Sequence, residues 1–178
     1  MKKLLATLLL CGGCAQTKPA PKSDDAPPAP TRHAFDVVFE TPGEWKKEAP
    51  ASNMRKVQCA VPDRDKAEGD ATFVYFGAMG GGVEGNQDRW RGQFQNQPAE
   101  PKTEDFKAGG LTIHLLDIAG EYASDAGAEP KADQRGLFAI VETGSGDHIF
   151  RLTGPRGTVG DWRDAFVDLL KKIKSRGA

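Results

Sequence analysis

Beyond its first residues the chain has almost no cysteine. Three cysteines occur in all, and Cys11 and Cys14 both fall in the opening segment. Cys59 is left without a partner for an internal disulfide. It lies in the apolar run Val57-Gln-Cys-Ala-Val61, which predicts a buried structural thiol rather than a reactive one. Histidine is as scarce. His33, His114 and His148 fall at a linker end, within a strand and at a strand start, and no pair has metal-ligand spacing. Ser23, Ser52, Ser124, Ser145 and Ser175 do not stand in a nucleophile elbow, and the carboxylates form no visible pair. The sequence therefore gives no catalytic residue, no metal ligand and no cofactor motif that holds up, and the reading is a non-enzyme. Charge of one sign is lacking too. The net charge is −1, and it becomes −3 once Lys2 and Lys3 are removed with residues 1–13. A near-neutral, mixed-charge chain argues against nucleic acid as a partner.

No long apolar run is present either. Leu4 to Leu10 is the h-region of an export signal, behind a positive n-region of Lys2 and Lys3. It falls far short of the roughly 20 residues that a spanning helix needs. Gly12-Gly13-Cys14 resembles the lipobox of bacterial lipoproteins, in which a small pair precedes the cysteine that receives diacylglycerol and a further acyl chain. The departure is Cys11, where that family usually has Leu. Cutting before Cys11 would put Leu10 beside the cut, which the peptidase tolerates poorly, so Cys14 is the expected lipidation site and residues 1–13 the signal. An ordinary secreted protein with two incidental cysteines is the plainer reading. The resemblance implies a partner, the membrane, held through lipid on Cys14. Acyl chains contribute about 0.8 kcal/mol per buried methylene, so several of them make a lasting anchor. Ala15 is not Asp, the residue that in enteric bacteria retains lipoproteins at the inner membrane. The resemblance therefore favours the outer membrane facing the periplasm within the cell envelope.

Residues 15–32 are rich in proline and alanine and contain no Val, Ile, Leu, Met or aromatic residue. Such a segment buries too little apolar surface to offset its ordering entropy. Residues 14–32 are read as a lipidated tether that sets the domain roughly 40–50 Å from the membrane where the chain is polyproline-like. Residues 33–178 remain for one globular domain.

Within that domain Phe35 to Phe39 reads as a strand ended by Thr41-Pro42-Gly43. Met54 to Val61 alternates, with Val57, Cys59 and Val61 facing the core. Ala71 to Gly77, aromatic and β-branched, reads as a central strand. A glycine-rich loop leads to a helix capped by Asn86, in which Trp90 and Phe94 share a face and Gly92 weakens the middle. Leu111 to Ala119, Gly136 to Thr143 and His148 to Thr153 are strands, the last two joined by a hairpin turn at Gly144 to Asp147. Residues 123–134 read as a mobile loop. Thr158 and Asp161 approximate a capping box for one closing helix. Its apolar face is Val159, Trp162, Phe166, Leu169, Leu170 and Ile173, and Gly177 is its stop. The order β-β-β-α-β-β-β-α predicts an α+β fold with a mostly antiparallel sheet and two helices.

Gly80-Gly-Gly82-Val-Glu-Gly85 matches G-x-G-x-x-G in form. The parallel βαβ series that gives that motif its meaning is missing, so the loop is expected to be a turn and to bind no NAD, ATP or phosphate. Gly82, Asn86 and Trp90 are the candidate ligand-binding positions, should the loop or its helix hold anything. Two longer stretches carry resemblances. Phe73 to Phe94 resembles a pattern in exported proteins of planctomycete and myxobacterial type. Phe150 to Ile173, with Thr153-Gly-Pro155 and a Trp/Phe helix, resembles the ending of the PsbP-like superfamily, whose opening strand and turn are echoed by Phe39 and Trp45. That likeness implies a PsbP-like sandwich. It also implies a binding or assembly role, here an interaction module for an envelope protein partner. The alternative is a small-ligand carrier or enzyme with its site near the glycine loop and Trp90.

Overall fold

The computed structural model describes residues 27–125 and 127–176; the signal segment, Cys14 and Gly177 lie outside them. Among the described residues are eleven strands and three short helices. The strands are β1 (Thr31–Ala34), β2 (Val37–Thr41), β3 (Lys46–Glu48), β4 (Val57–Val61), β5 (Ala71–Met79), β6 (Phe94–Gln95), β7 (Lys102–Ala108), β8 (Leu111–Tyr122), β9 (Lys131–Thr143), β10 (Gly146–Pro155) and β11 (Lys174–Ser175). The helices are α1 (Gly82–Arg91), α2 (Arg156–Asp161) and α3 (Arg163–Lys171).

Every strand pairing is antiparallel. The large sheet runs β3-β4-β5-β10-β9-β8-β6, with β7 also on the outer edge of β8, and a small sheet runs β1-β2-β11. The small sheet, α2 and α3 cover one face of the large sheet. There Phe39, Phe73, Tyr75, Phe150, Trp162 and Phe166 lie in one buried cluster. The other face carries a smaller cluster of Trp90, Phe94, Leu116, Ile118, Phe138, Ile140 and Ile149 under α1. The fold class is α+β with a mostly antiparallel sheet, as the strand pattern predicts. β9 is apolar at successive positions, Leu137 to Val141, because both its faces are covered.

Several local expectations change. Met54 to Lys56 stay outside β4, while Val57, Cys59 and Val61 face the core as expected. Burial pushes the Cys59 thiol up to about 11, which keeps it protonated and unreactive. β9 begins at Lys131, so Lys131 to Gln134 form strand instead of loop. His33 lies in β1 beside Phe39, and its ring nitrogen is 3.1 Å from Thr41 Oγ1. The closing helix is two helices meeting at Trp162, whose φ of −100° and ψ of 2° break the α ladder. Thr158 caps nothing. It sits inside α2 and its hydroxyl donates to the Gly69 carbonyl.

Candidate functional site

α1 has only ten residues, and it lies against β8 and β9. Trp90 stacks on Phe138 with ring centroids 4.9 Å apart, and Phe94 meets Phe138 edge-on at 6.1 Å. A helix of that length cannot reach across the sheet, so the strip formed by β5 and β10 is only partly covered. Strand alternation decides what that strip shows. On β5, Phe73 and Tyr75 join the large core, while Thr72, Val74 and Phe76 line the open side. On β10, Phe150 and Leu152 point to the core, while Ile149, Arg151 and Thr153 line the open side. The pairing shifts register where Phe76 and Gly77 meet Ile149, with Gly77 at φ +84°. A bulge of this kind bends a strand and re-aims its side chains.

The result is an open groove of about 710 Å³. Its floor is the β5–β10 strip. The β3–β4 loop (Ser52, Met54, Arg55), α1 with the turn after it (Arg89, Trp90, then Gln93), and the end of β8 with the segment that follows (Tyr122, Ser124, Asp125, then Lys131 of β9) form the walls. Four cationic side chains, Arg55, Arg89, Lys131 and Arg151, face a single carboxylate, Asp125.

Arg151 is the central one. Its guanidinium carbon lies 5.2 Å from the Phe138 ring centre and 5.5 Å from that of Phe76, both within cation–π range. It donates a hydrogen bond to the Tyr122 hydroxyl, while its Nε is buried with no partner among the described residues. Burial holds Arg151 below its ordinary arginine value, and Arg55 and Arg89 push the same way. Arg55 donates to Gln58 Oε1 at 2.7 Å and Arg89 to Asn86 Oδ1 at 2.7 Å, both neutral acceptors. Elsewhere Arg91, Arg135, Arg156 and Arg163 each pair with a carboxylate. The three groove arginines form no ion pair among the described residues, a state they share with Arg32, Arg64 and Arg176; what sets the groove apart is that three such arginines line one concavity.

Gly82, Asn86 and Trp90 fare differently. Gly82 opens α1 at φ +64° with open space where a β-carbon would stand, and it does not line the groove. Asn86 is not the helix cap. α1 begins four residues earlier, and the buried Asn86 amide donates to the carbonyls of Gly80 (3.2 Å) and Gly82 (2.7 Å), folding the glycine loop back on the helix. Its backbone N–H falls in the second turn, where helical bonds consume it, so it is no free anion donor. Through its Oδ1, Asn86 also orients Arg89 toward the groove. Trp90 lines the groove directly. Gly92 closes α1 and does not weaken its middle.

The other polar clusters are engaged by partners of their own, although His114 Nε2 makes only a charge contact and no well-directed hydrogen bond. Asp117 takes two hydrogen bonds from Arg135, at 2.8 and 2.6 Å, and a third from Arg163 at 3.2 Å. A second concavity of about 690 Å³ between β7 and α3 thus has its arginine already engaged, by Glu104 as well as Asp117. His114 lies between Asp105, 2.9 Å from Nδ1, and Glu142, 3.3 Å from Nε2. Burial opposes its charge, but the two carboxylates prevail and raise its pKa. The Asp63 carboxylate accepts the N–H groups of Glu68 (2.6 Å), Gly69 (2.8 Å) and Asp65 (3.1 Å), which hold it below the usual range and close its loop. No cluster among the described residues has the make-up of a metal site.

Comparison with protein-family models finds no match, and none of the curated proteins matches. Solved structures do. The solution structure of the cyanobacterial PsbP protein CyanoP from Synechocystis sp. PCC 6803 superposes with a TM-score of 0.53 at 11% identity, over 88% of this chain and 98% of that one. The crystal structure of PA94, a protein of unknown function from Pseudomonas aeruginosa, superposes with a TM-score of 0.51 at 14% identity, over 80% of this chain and 94% of that one. At these identities the likeness is one of fold, and the fold is PsbP-like.

Proposed function

We propose that this chain is a lipid-anchored binding protein of the bacterial cell envelope, that it acts without catalysis, and that it takes a small ligand in the groove beside α1. The observation that carries the binding part is the set of three arginines that line one groove without a carboxylate partner. Of the three, Arg151 has its Nε buried without a partner among the described residues, and a buried polar group left unpaired costs stability unless something else completes it. The anchoring part is supported by Gly12-Gly13-Cys14 and by the Pro/Ala-rich tether. No helix of the described residues is long and apolar enough to cross a membrane.

The sequence puts an envelope protein first as partner, with a small ligand as the alternative. An exposed apolar face would favour the protein partner, yet Met54, at 57% exposure, is the one large hydrophobic side chain standing in solvent among the described residues, and it sits on the groove rim. The groove's size falls within the range of small-molecule sites, so a small ligand is the better supported reading.

The test is native mass spectrometry of the full-length protein purified from membranes. A bound organic species is expected on the parent protein, and its occupancy is expected to fall on the Arg151→Met variant. A ligand-free spectrum, or equal occupancy on both, contradicts binding through the groove.

A further inference from the structure

We infer that the groove takes an amphiphilic organic anion, with the acid head at Arg151 and an apolar body along Val74, Phe76, Met79 and Trp90. This rests on the groove being the binding site proposed above and adds the chemical class of its occupant. Two independent features carry it. The first is charge: four cations against Asp125 make the groove complementary to an anion. Arg151 is the deepest of them, its Nε is buried without a partner, and it pairs with no carboxylate among the described residues. A planar guanidinium suits bidentate capture of a carboxylate. The second is the lining on either side of that head site. Val74 and Trp90 are buried, Phe76 and Met79 are half-buried, and Met54 extends into solvent at the rim. Methionine side chains adapt to apolar bodies of varied shape. A bare inorganic anion would leave that surface unused, and a neutral apolar molecule would leave the arginines unpaired.

Arg55 and Arg89 both oppose the charge on Arg151. An anion placed among them relieves that repulsion, so a carboxylate gains more here than at an isolated arginine. The bulge at Phe76 shapes the floor, and the hydrogen bond from Arg89 to Asn86 holds that arginine on the α1 wall.

Trp90 gives the readout, because Trp45 and Trp162 lie in the other core cluster. The full-length protein would be titrated with decanoate, with its neutral counterpart decanamide and with inorganic phosphate, following tryptophan fluorescence. Decanoate is expected to give a saturable change that disappears in Trp90→Phe. Decanamide is expected to bind about tenfold or more weakly, the loss of one charge-assisted contact. Phosphate is expected to compete poorly. Arg151→Met should weaken decanoate about tenfold or more. The rim variant Arg55→Gln/Arg89→Gln removes charge without touching the strand interior, and it should weaken decanoate even if Arg151→Met fails to fold. Equal binding of decanamide overturns the anion assignment while leaving the groove as the site. Phosphate binding as tight as decanoate overturns the apolar body. Absence of any binding by the three probes overturns the ligand class, and with ligand-free protein from membranes it removes the groove reading as well.

Discussion

Replacing Trp162 by alanine is expected to lower the unfolding free energy by about 3–5 kcal/mol, the cost of deleting a large aromatic side chain from a core. Trp162 is 2% exposed and stands at the junction of α2 and α3. Its ring meets Trp45 edge-on at 5.9 Å and lies 4.0 Å beneath the Arg64 guanidinium. Its Nε1 donates to the Pro62 carbonyl at 2.7 Å, joining the helical layer to the loop after β4. Alanine removes the packing, the cation–π contact and the hydrogen bond at once. With domain stabilities of about 5–15 kcal/mol, little reserve remains. In urea, where small domains lose about 1–3 kcal/mol per molar, the midpoint should fall by at least about 1 M. Trp162→Phe keeps most of the packing and should cost less, with the lost hydrogen bond contributing about 1 kcal/mol. Circular dichroism during urea titration of the full chain measures both. Midpoints equal to the parent's would mean that α2 and α3 are not packed on the sheet as described.

Changing Cys14 to serine is expected to abolish lipid attachment altogether, because serine offers no thiol for diacylglycerol transfer. Processing should stop with it, and the precursor should accumulate. Labelled palmitate followed in cells that express each form gives the answer, with Cys11→Ser as the control that keeps full labelling. The reason for the size of the effect is thermodynamic. One acyl chain holds a protein to a bilayer only marginally, two or more hold it effectively for good, and the apolar run from Leu4 to Leu10 is too short to substitute. Palmitate incorporation into the Cys14→Ser protein at the parent's level would remove the anchor from the proposed function and leave the groove untouched.

The parts of the fold that can be read from the sequence are those where burial imposes a period. Val57, Cys59 and Val61 announce β4 by alternation, and the aromatic run of β5 and the apolar run of β9 announce central strands. β7 is illegible. Lys102 to Ala108 lies on an edge, largely exposed, and its place follows only from pairing with β8 across Gly109 and Gly110. β1, β6 and β11 have two to four residues and carry no pattern of their own. The helix break at Trp162 is hidden because the apolar spacing runs straight through it; the turn follows from where the indole must sit, which is tertiary. The site divides in the same way. Trp90 is conspicuous as an aromatic residue on a helix. Arg55, Arg89 and Arg151 come from three distant segments, and arginine is too common on surfaces to draw notice. The one local clue is Ile149-Phe150-Arg151-Leu152, a charge set into an apolar strand. Asn86 was visible for the wrong reason: its role is to hold the glycine loop and Arg89, not to start the helix.

The central claim is that this PsbP-like domain binds through the groove between α1 and the β5–β10 strip. The most direct measurement is a two-dimensional ¹H–¹⁵N spectrum of the full-length protein titrated with decanoate. Shifts are expected to concentrate on Val74, Phe76, Arg89 and Trp90, with the Arg151 Nε–Hε signal moving furthest. Shifts gathered instead on Glu104, Val167 and Lys171, the walls of the second concavity, would contradict it, and so would a spectrum that decanoate leaves unchanged.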